Sequence, residues 1–468
     1  MFLTRRLMLS QINNQTLNSF TKSVLLKNAD VRDSCRLRDE RLAKTAQRMG
    51  SVFTPNQVLG RLQTIGCVAV EITQKCNLDC TLCYLSENSQ AVADIPIEEV
   101  FRRLDDVLHH YGSGTHVQIT GGDPTLRKHS ELIEIVKYAN QLGLYTALFT
   151  NGIGASRKLL SRLVAVGLRD VAFHVDSTQR RKNGDTEQSL NAIRDEYIKR
   201  TAGLGLMVIF NTTVHRGNFH EIPNLVSFFR LRADKVGFVS FQLQADTGRG
   251  EWRQRDVVIS KQTVEKQIEV GSRENLPWDV MQVGHQDCHN YLPTLVINKQ
   301  VHPLVESKSF IAEFMHDFAN ICWDRHKNNS YLVWRFVSEL VKKPKWWSRL
   351  LAYAINFIKR AGKDFIKARG QVNQLTFFVQ NFMDAKELVQ ERVDACSFMV
   401  MTEQGPVSMC KHNANRDDYI LTPLEITRTD GSKIKYEPLK SSLLSKNNRT
   451  VGAKKLAKIQ IQTNSYKG

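Results

Sequence analysis

Between about residues 66 and 243, short apolar runs rich in β-branched residues alternate with longer segments whose apolar positions recur at helical spacing. Five helical segments separate six predicted strands, which are "CVAVEIT" (67–73), "HVQIT" (116–120), "YTALFT" (145–150), "DVAFHV" (170–175), "LMVIFNTTV" (206–214) and "VGFVSFQL" (236–243). This alternation predicts a parallel sheet, either doubly wound or curved into a barrel. In both architectures the binding residues lie at the carboxyl ends of the strands.

After residue 250 the alternation stops. Polar loops with short apolar pieces are followed by a long helical pattern at 345–369, a strand-like "QLTFFVQNFM" and a hairpin-like "TEQGPVSM". We therefore expect an α/β fold with a C-terminal α+β extension. The predicted units are a basic helical N-terminal extension (1–60), the α/β unit (61–250), a C-terminal region for substrate or auxiliary metal (251–432) and a basic tail (433–468).

The net charge of +18 is concentrated in three segments. Residues 334–370 and 433–468 each carry +8 and residues 1–50 carry +6, which leaves −4 for the rest of the 468-residue chain. This distribution argues against a nucleic-acid-binding face across the α/β unit, and we expect no specific nucleic-acid partner. The sequence shows neither the apolar core of a secretory signal nor a run of about 18 apolar residues, so we expect a cytoplasmic protein.

Nine cysteines occur, an odd number that favours metal chemistry in a reducing compartment over a disulfide framework. Cys76, Cys80 and Cys83 lie within eight residues directly after the first predicted strand. Three thiolates on a compact loop suit a [4Fe–4S] cluster with one open iron. The alternative is a zinc site whose fourth ligand lies elsewhere in the chain.

Polar residues follow the other predicted strands at the same edge of the sheet. In "TGGDPTL" (120–126), two glycines allow a sharp turn and a close approach to a ligand, and the Asp-Pro pair stiffens the exit. Each motif is ordinary at a strand end, but their order at successive strand ends indicates a single site. The candidate residues are Gly121, Gly122, Asp123, Pro124, Asn151, His174, Asp176 and Asn211.

Taken together, these motifs over residues 65–245 resemble the radical S-adenosylmethionine (SAM) superfamily. The resemblance implies a partial (βα)₆ TIM-type barrel in which Cys76, Cys80 and Cys83 hold a catalytic [4Fe–4S] cluster and SAM chelates the fourth iron. It implies that the Gly-Gly-Asp-Pro stretch contacts the SAM amino group, with Asp123 where the family has Glu. The family often has an aromatic residue before the third cysteine, whereas here Leu82 precedes Cys83 and Tyr84 follows it.

The same resemblance places the remaining candidates around SAM. Asn151, His174 and Asp176 would line its ribose and carboxylate side, and Asn211 would lie near the adenine or ribose. His174 stands where the family often has Ser, so it is also a candidate for facing the substrate. The implied activity is reductive cleavage of SAM followed by hydrogen abstraction from an unactivated C–H bond, with flavodoxin or ferredoxin as electron donor.

A second set of cysteines, Cys288, Cys396 and Cys410, lies outside the barrel. Two of them bracket the hairpin-like segment, which favours an auxiliary iron–sulfur or metal site. The alternative is that all three are small buried apolar residues. Residues 380–414 resemble a radical SAM branch that includes tetraether lipid synthases and pterin-linked enzymes.

Residues 345–369 predict a basic amphipathic helix. Basic and polar side chains occupy one side, and the segment carries adjacent tryptophans. This pattern is typical of a helix at a membrane interface, although a helix packed on the barrel with a solvated basic face has the same pattern. The predicted apolar face comprises Trp347, Leu350, Leu351, Ala354, Ile358, Ala361 and Phe365, and the basic side comprises Arg349, Asn356, Lys359, Arg360, Lys363 and Lys367.

The sequence thus predicts a radical SAM enzyme that acts on a lipid or another membrane-associated substrate, with peripheral membrane contact. One alternative is a cytosolic radical SAM enzyme that modifies a peptide, nucleoside or pterin. An alternative from another class is a non-catalytic metal-binding protein whose basic segments contact RNA or a protein partner.

Overall fold

The computed structural model describes residues 34–182, 184–250, 259–319, 321, 329–428 and 430–439. Residues 1–33 of the predicted N-terminal extension and residues 440–468 of the predicted tail lie outside the described residues, as does Cys322. Helix α1 (Ser34–Met49) precedes the sheet.

All six predicted strands form, and they pair in parallel in chain order. Five helices connect them, as predicted. The strands are β1 (Cys67–Thr73), β2 (His116–Gly121), β3 (Tyr145–Thr150), β4 (Asp170–His174), β5 (Met207–Val214) and β6 (Val236–Leu243), and the helices are α2 (Ile97–Tyr111), α3 (His129–Gln141), α4 (Arg157–Ala165), α5 (Asn191–Thr201) and α6 (Ile222–Arg230).

The strands are almost continuously buried, as expected for a parallel sheet covered on both faces. The helices pack their apolar stripes on this sheet; α2, for example, buries Val100, Leu104 and Val107 in the main core. Helix α5 is shorter than the predicted segment 186–205. Thr186 and Ser189 exchange side-chain and backbone hydrogen bonds before it, and such local bonds compete with the helical ones.

The sheet continues beyond the six barrel strands at both edges. Strand β9 (Asn373–Asn381) runs parallel to β6, and β10 (Phe398–Thr402) runs parallel to β1, so the C-terminal region supplies two further parallel strands. The predicted strand at 374–383 and the predicted hairpin at 402–409 are confirmed. Three antiparallel strands complete the edges: β7 (His289–Ile297), β8 (Gln300–Pro303) and β11 (Gly405–Ser408).

The resulting eleven-stranded sheet has the order β11-β10-β1-β2-β3-β4-β5-β6-β9-β7-β8. Within the described ranges its two edge strands do not pair with each other. The fold is therefore the expected α/β partial TIM-type barrel with a C-terminal α+β extension.

Helices α8 (Lys308–Asp317), α9 (Asn329–Val341) and α10 (Lys345–Lys367) form a small helical layer around Phe318, Ile321 and Trp346. Strand β13 lies within the segment assigned to the tail and pairs with β12. None of the described helices is long and apolar enough to cross a membrane. The remaining elements are α7 (Lys261–Ser272), α11 (Gln390–Asp394), α12 (Met409–Ala414), α13 (Arg416–Ile420), β12 (Leu424–Thr427) and β13 (Lys433–Tyr436).

Candidate active site

The three clustered cysteines lie on the loop that leaves the carboxyl end of β1, and all three are free thiols. Burial raises the pKa of Cys76 and of Cys80, and the charge of Cys83 raises both further. Thiols of this kind ionise readily only when a cation replaces their protons. Among the described residues, no group of three or more His, Cys, Asp or Glu side chains is arranged to hold a single metal ion.

The two glycines after β2 allow the cysteine loop to pass directly against them. A Cβ on Gly121 would lie 1.9 Å from the Thr73 carbonyl oxygen, and a Cβ on Gly122 would lie 2.0 Å from the Lys75 carbonyl oxygen. The backbone N–H of Gly122 donates to Thr73 O at 2.8 Å. The Gly-Gly pair therefore fixes the start of the cysteine loop.

The Asp123 carboxylate is fully buried and joins the ends of β2 and β3. It accepts hydrogen bonds from the Thr125 N–H (3.0 Å) and hydroxyl (2.6 Å). Its other oxygen accepts from the Thr150 hydroxyl and from the Asn151 N–H, both at 2.8 Å. Pro124 begins the short 3₁₀ helix that Asp123 caps. In this structure Asp123 holds the end of β3 against the turn after β2. Its direct contact with SAM stays a prediction.

Asp176 repeats this arrangement at the end of β4. It is fully buried, caps the 3₁₀ helix Ser177–Gln179 and accepts from the Thr178 N–H and hydroxyl. Burial alone would raise the pKa of Asp176, but His174 and these hydrogen bonds lower it far below its usual range. His174 Nε2 lies 2.6 Å from Asp176 Oδ2 and 3.2 Å from the Thr213 hydroxyl. His174 is one-third exposed whereas Asp176 is fully buried, so the imidazole is the solvent-facing member of this pair.

The two predicted asparagines occupy different places. Asn151 Nδ2 donates to Asn77 Oδ1 at 2.6 Å and lies 3.9 Å from Cys76 Sγ, which puts Asn151 directly beside the cysteine loop. Asn211 is buried in β5, opposite His174 in the pairing of β4 with β5. The structure thus brings Asn151 to the cysteines, whereas Asn211 lies further along the strand ends.

Arg249, which sequence reasoning missed, lies beside the cysteines. Its guanidinium donates to the Leu78 carbonyl oxygen at 3.1 Å. Burial alone would lower the pKa of Arg249, but its contact with Cys83 and the nearby Asp79 and Cys76 outweigh burial and raise it. Its position just after β6, at the edge where the other motifs lie, is the signal that could have identified it.

A second group of residues that sequence reasoning missed connects the C-terminal region to the cysteine loop. Arg416 on α13 forms a buried ion pair with Glu71 on β1, and its guanidinium lies 4.6 Å from the centre of the Tyr84 ring. The Tyr84 hydroxyl donates to the Gly121 carbonyl oxygen at 2.6 Å. Residues of β1, the cysteine loop and the Gly-Gly turn are thereby joined to α13. Nothing local in the sequence identifies Arg416.

These residues fit a [4Fe–4S] cluster with SAM. Three interacting thiols, a nearby guanidinium and a backbone turn that only glycine allows supply sulfur ligands, charge balance and close access.

The other predicted cysteines also come together. Cys288, Cys396 and Cys410 line one small cavity with Arg392, whose Nε donates to Cys288 Sγ at 3.4 Å. Burial raises the pKa of Cys396 to about 11 and of Cys410 to about 12, and in each case a neighbouring cysteine adds to the rise. The three thiols thus line the same cavity, and their role as an auxiliary site stays a prediction. Cys67 lies in the sheet beside Gln118, and the charge of Cys396 adds to the rise in the Cys67 pKa that burial causes.

The family model of the radical SAM superfamily matches residues 70–228. The chain is 32% identical to a PqqA peptide cyclase of Methylorubrum extorquens over 161 residues, which cover 33% of this chain and 40% of the relative. It is 27% identical to a 7,8-dihydro-6-hydroxymethylpterin dimethyltransferase of Methanocaldococcus jannaschii over 186 residues, which cover 38% of this chain and 36% of the relative. The chain therefore matches less than half the length of these curated relatives.

Among solved structures, the chain is similar to anSMEcpe with bound AdoMet. The match has a TM-score of 0.36 at 14% sequence identity and covers 44% of this chain and 59% of that chain.

Proposed function

Since the chain belongs to the radical SAM superfamily through residues 70–228, we propose that it cleaves SAM reductively and abstracts a hydrogen atom from its substrate. When bound, the cluster supplies the electron that splits SAM into methionine and a carbon radical able to abstract hydrogen. Cys76, Cys80 and Cys83 would hold the cluster. The observation that carries this proposal is that these three free thiols lie on one short loop at the carboxyl end of β1.

The chain's own residues position and enclose the reaction. Gly121 and Gly122 let the backbone approach closely, and Asp123 and Asp176 hold the neighbouring strand ends in place. Arg249 offsets the negative charge of the thiolates. His174 is the polar group at the open side of the site and would face SAM or the substrate.

The test is anaerobic reconstitution with iron and sulfide, followed by SAM and dithionite. We expect 5′-deoxyadenosine and methionine from the native chain and neither from Cys80→Ala. Cys67→Ala is the matched control, because Cys67 lies in the sheet and should leave the products unchanged. A site that takes up zinc but no cluster, with no SAM cleavage, would favour the non-catalytic metal-binding alternative.

Two substrate classes are proposed, and a different observation supports each. The relatives are named for a peptide and a pterin, which favours the cytosolic alternative. The family match, however, covers the barrel segment 70–228 and not the C-terminal region that we assign to substrate. The exposed apolar side of α10 instead favours a membrane-associated substrate. The enzyme is incubated separately with deuterium-labelled peptide, pterin or lipid extracts. The substrate class that transfers deuterium into 5′-deoxyadenosine is the one on which the enzyme acts.

We further propose that Cys288, Cys396 and Cys410 bind an auxiliary iron–sulfur cluster or metal. The cavity they share and the Arg392 guanidinium beside Cys288 support this proposal. Iron should fall in a Cys396→Ala/Cys410→Ala variant while the Cys76 site remains loaded. Equal iron content in the variant and the native chain would leave the three cysteines as buried apolar residues.

Flavodoxin or ferredoxin is the proposed electron donor. Either protein, kept reduced by its own reductase, should replace dithionite in the SAM-cleavage assay. Activity with dithionite but with neither protein would exclude both.

A further inference from the structure

Helices α9 and α10 expose large apolar side chains to solvent. Their outer residues recur every three to four positions, so they form stripes along the helices. Large exposed apolar side chains grouped in this way on a soluble protein often mark interaction sites. The α9–α10 surface comprises Trp334, Val337 and Val341 on α9 and Trp347, Leu351 and Ile358 on α10, which are 47% to 64% exposed.

The inner side of the same helices is firmly packed. Trp346 is completely buried against Phe318 and Ile321, and its indole donates to Asp317 at 2.7 Å. The next residue, Trp347, faces outward, and its indole donates to the Leu340 carbonyl oxygen at 3.0 Å. The exposed stripe is therefore the outer side of a folded unit.

This arrangement corrects the predicted apolar face of α10. Ala361 is buried and Leu350 is partly buried against the core, whereas Trp347, Leu351, Ile358 and Phe365 are exposed. Helix α10 thus has three sectors: a packed one, an exposed apolar one and a basic one.

The basic sector adjoins the exposed apolar stripe. Lys359, Lys363 and Lys367 are exposed, and within the described part of the chain they form no ion pair. Arg349 and Arg360 are instead engaged by Glu313 and Glu306. The free lysines therefore supply the positive charge available to a partner.

We infer that the α9–α10 surface docks on an anionic lipid bilayer, with α10 lying in the plane of the membrane. Apolar residues with exposed tryptophans would enter the headgroup boundary, and the lysines would contact anionic headgroups. Charge disfavours the other occupants. The chain's own segments 1–50 (+6) and 433–468 (+8) have the same sign as residues 334–370 (+8), and so has a second copy of the chain.

The docking goes beyond the proposed function and does not rest on SAM cleavage. The test is flotation of the full chain with vesicles of phosphatidylcholine, with or without phosphatidylglycerol. We expect binding to the anionic vesicles, weaker binding to the neutral ones, and a loss of roughly fivefold for each lysine in Lys359→Gln/Lys363→Gln/Lys367→Gln.

Trp347→Ser/Leu351→Ser/Ile358→Ser should abolish flotation. The matched control is Leu231→Ser/Val270→Ser, because these side chains are similarly exposed, directly after α6 and on α7. The control should float like the native chain. Equal flotation of the apolar variant and the native chain, or no flotation of the native chain, would overturn the inference.

Gel filtration separates the membrane from a second copy as occupant. A native dimer that this triple variant converts to a monomer, without vesicle binding, would make the surface a self-association interface. SAM cleavage measured in solution should be the same in all these variants. Flotation without SAM cleavage would remove the proposed function and leave the docking intact.

Discussion

Arg416 Nη1 donates to both carboxylate oxygens of Glu71, at 2.9 and 2.8 Å, although the two residues lie 345 positions apart in the chain. Glu71 is in β1, five residues before Cys76, and Arg416 begins α13. Both side chains are buried. The C-terminal region is therefore part of the structure that holds the cysteine loop.

This ion pair predicts a dependence of stability on pH. Burial alone would raise the pKa of Glu71, but Arg416 and His412 lower it to about 2. Because the folded pKa is below the unfolded one, the stabilisation is complete above about pH 4.5 and is lost as the pH falls toward 2. It amounts to about 3 kcal/mol. Urea unfolding of the native chain and of Glu71→Gln at pH 7, 4 and 3 measures it, and the variant should lack this part of the pH dependence.

Arg416→Met should destabilise the fold by about 3–5 kcal/mol at pH 7, because it leaves a buried carboxylate without a partner. Lys433→Met is the control, since it breaks an exposed pair with Glu425 that solvent screens and that should contribute little to the free energy of unfolding. Glu71→Gln/Arg416→Met should recover part of the loss. Equal unfolding free energies for Arg416→Met and Lys433→Met would contradict the bracing role.

Asp123→Asn should lower the free energy of unfolding by about 2–3 kcal/mol, because an amide cannot accept from all the donors that surround this carboxylate. Chemical denaturation measures this loss. Iron uptake should fall as well, since Asn151 lies beside Cys76 and is held by Asp123. Asp185→Asn, an exposed change, should stay within about 0.5 kcal/mol of the native chain.

Gly122→Ala should displace the cysteine loop, because its Cβ would overlap the Lys75 carbonyl oxygen. We expect a clear loss of iron and sulfide per chain after reconstitution. Gly114→Ala is the control: its φ of +77° carries strain of about 1 kcal/mol, but its Cβ would meet no atom within 4 Å. Full cluster loading of Gly122→Ala would show that the loop does not need this close approach.

Arg249→Gln should make the bound cluster harder to reduce, because it removes a positive charge beside Cys83 and Cys76. A shift on the order of −60 mV, equivalent to about 1.4 kcal/mol for one electron, is expected in an EPR-monitored redox titration. Arg162→Gln, on the exposed side of α4, should leave the potential unchanged. An unchanged potential in Arg249→Gln would limit Arg249 to holding the Leu78 carbonyl.

Trp346→Ala should destabilise the helical layer by about 3–5 kcal/mol, because the side chain is fully buried. Trp347→Ala should change the free energy of unfolding by less than about 1 kcal/mol, since Trp347 is 55% exposed. Thermal unfolding of both variants checks this contrast between neighbouring tryptophans. Equal losses of unfolding free energy in Trp346→Ala and Trp347→Ala would contradict the packed and exposed sectors assigned to α10.

The sequence by itself determined the barrel strands and the place of the site. Short runs rich in apolar and β-branched residues, such as "CVAVEIT", predict buried strands, and parallel strands in chain order bring their carboxyl ends to one edge. Cys76, Cys80 and Cys83 are local in sequence, so their spacing alone was enough to group them. The Gly-Gly turn could be found for the same reason.

Tertiary structure decided what depends on distant contacts. The pairing of β10 with β1 and of Arg416 with Glu71 joins segments more than 300 residues apart, which no local pattern encodes. It also decided which apolar residues of α10 face the core. Leu350 and Leu351 are chemically identical, and only the neighbouring helices determine that the first is packed and the second is exposed.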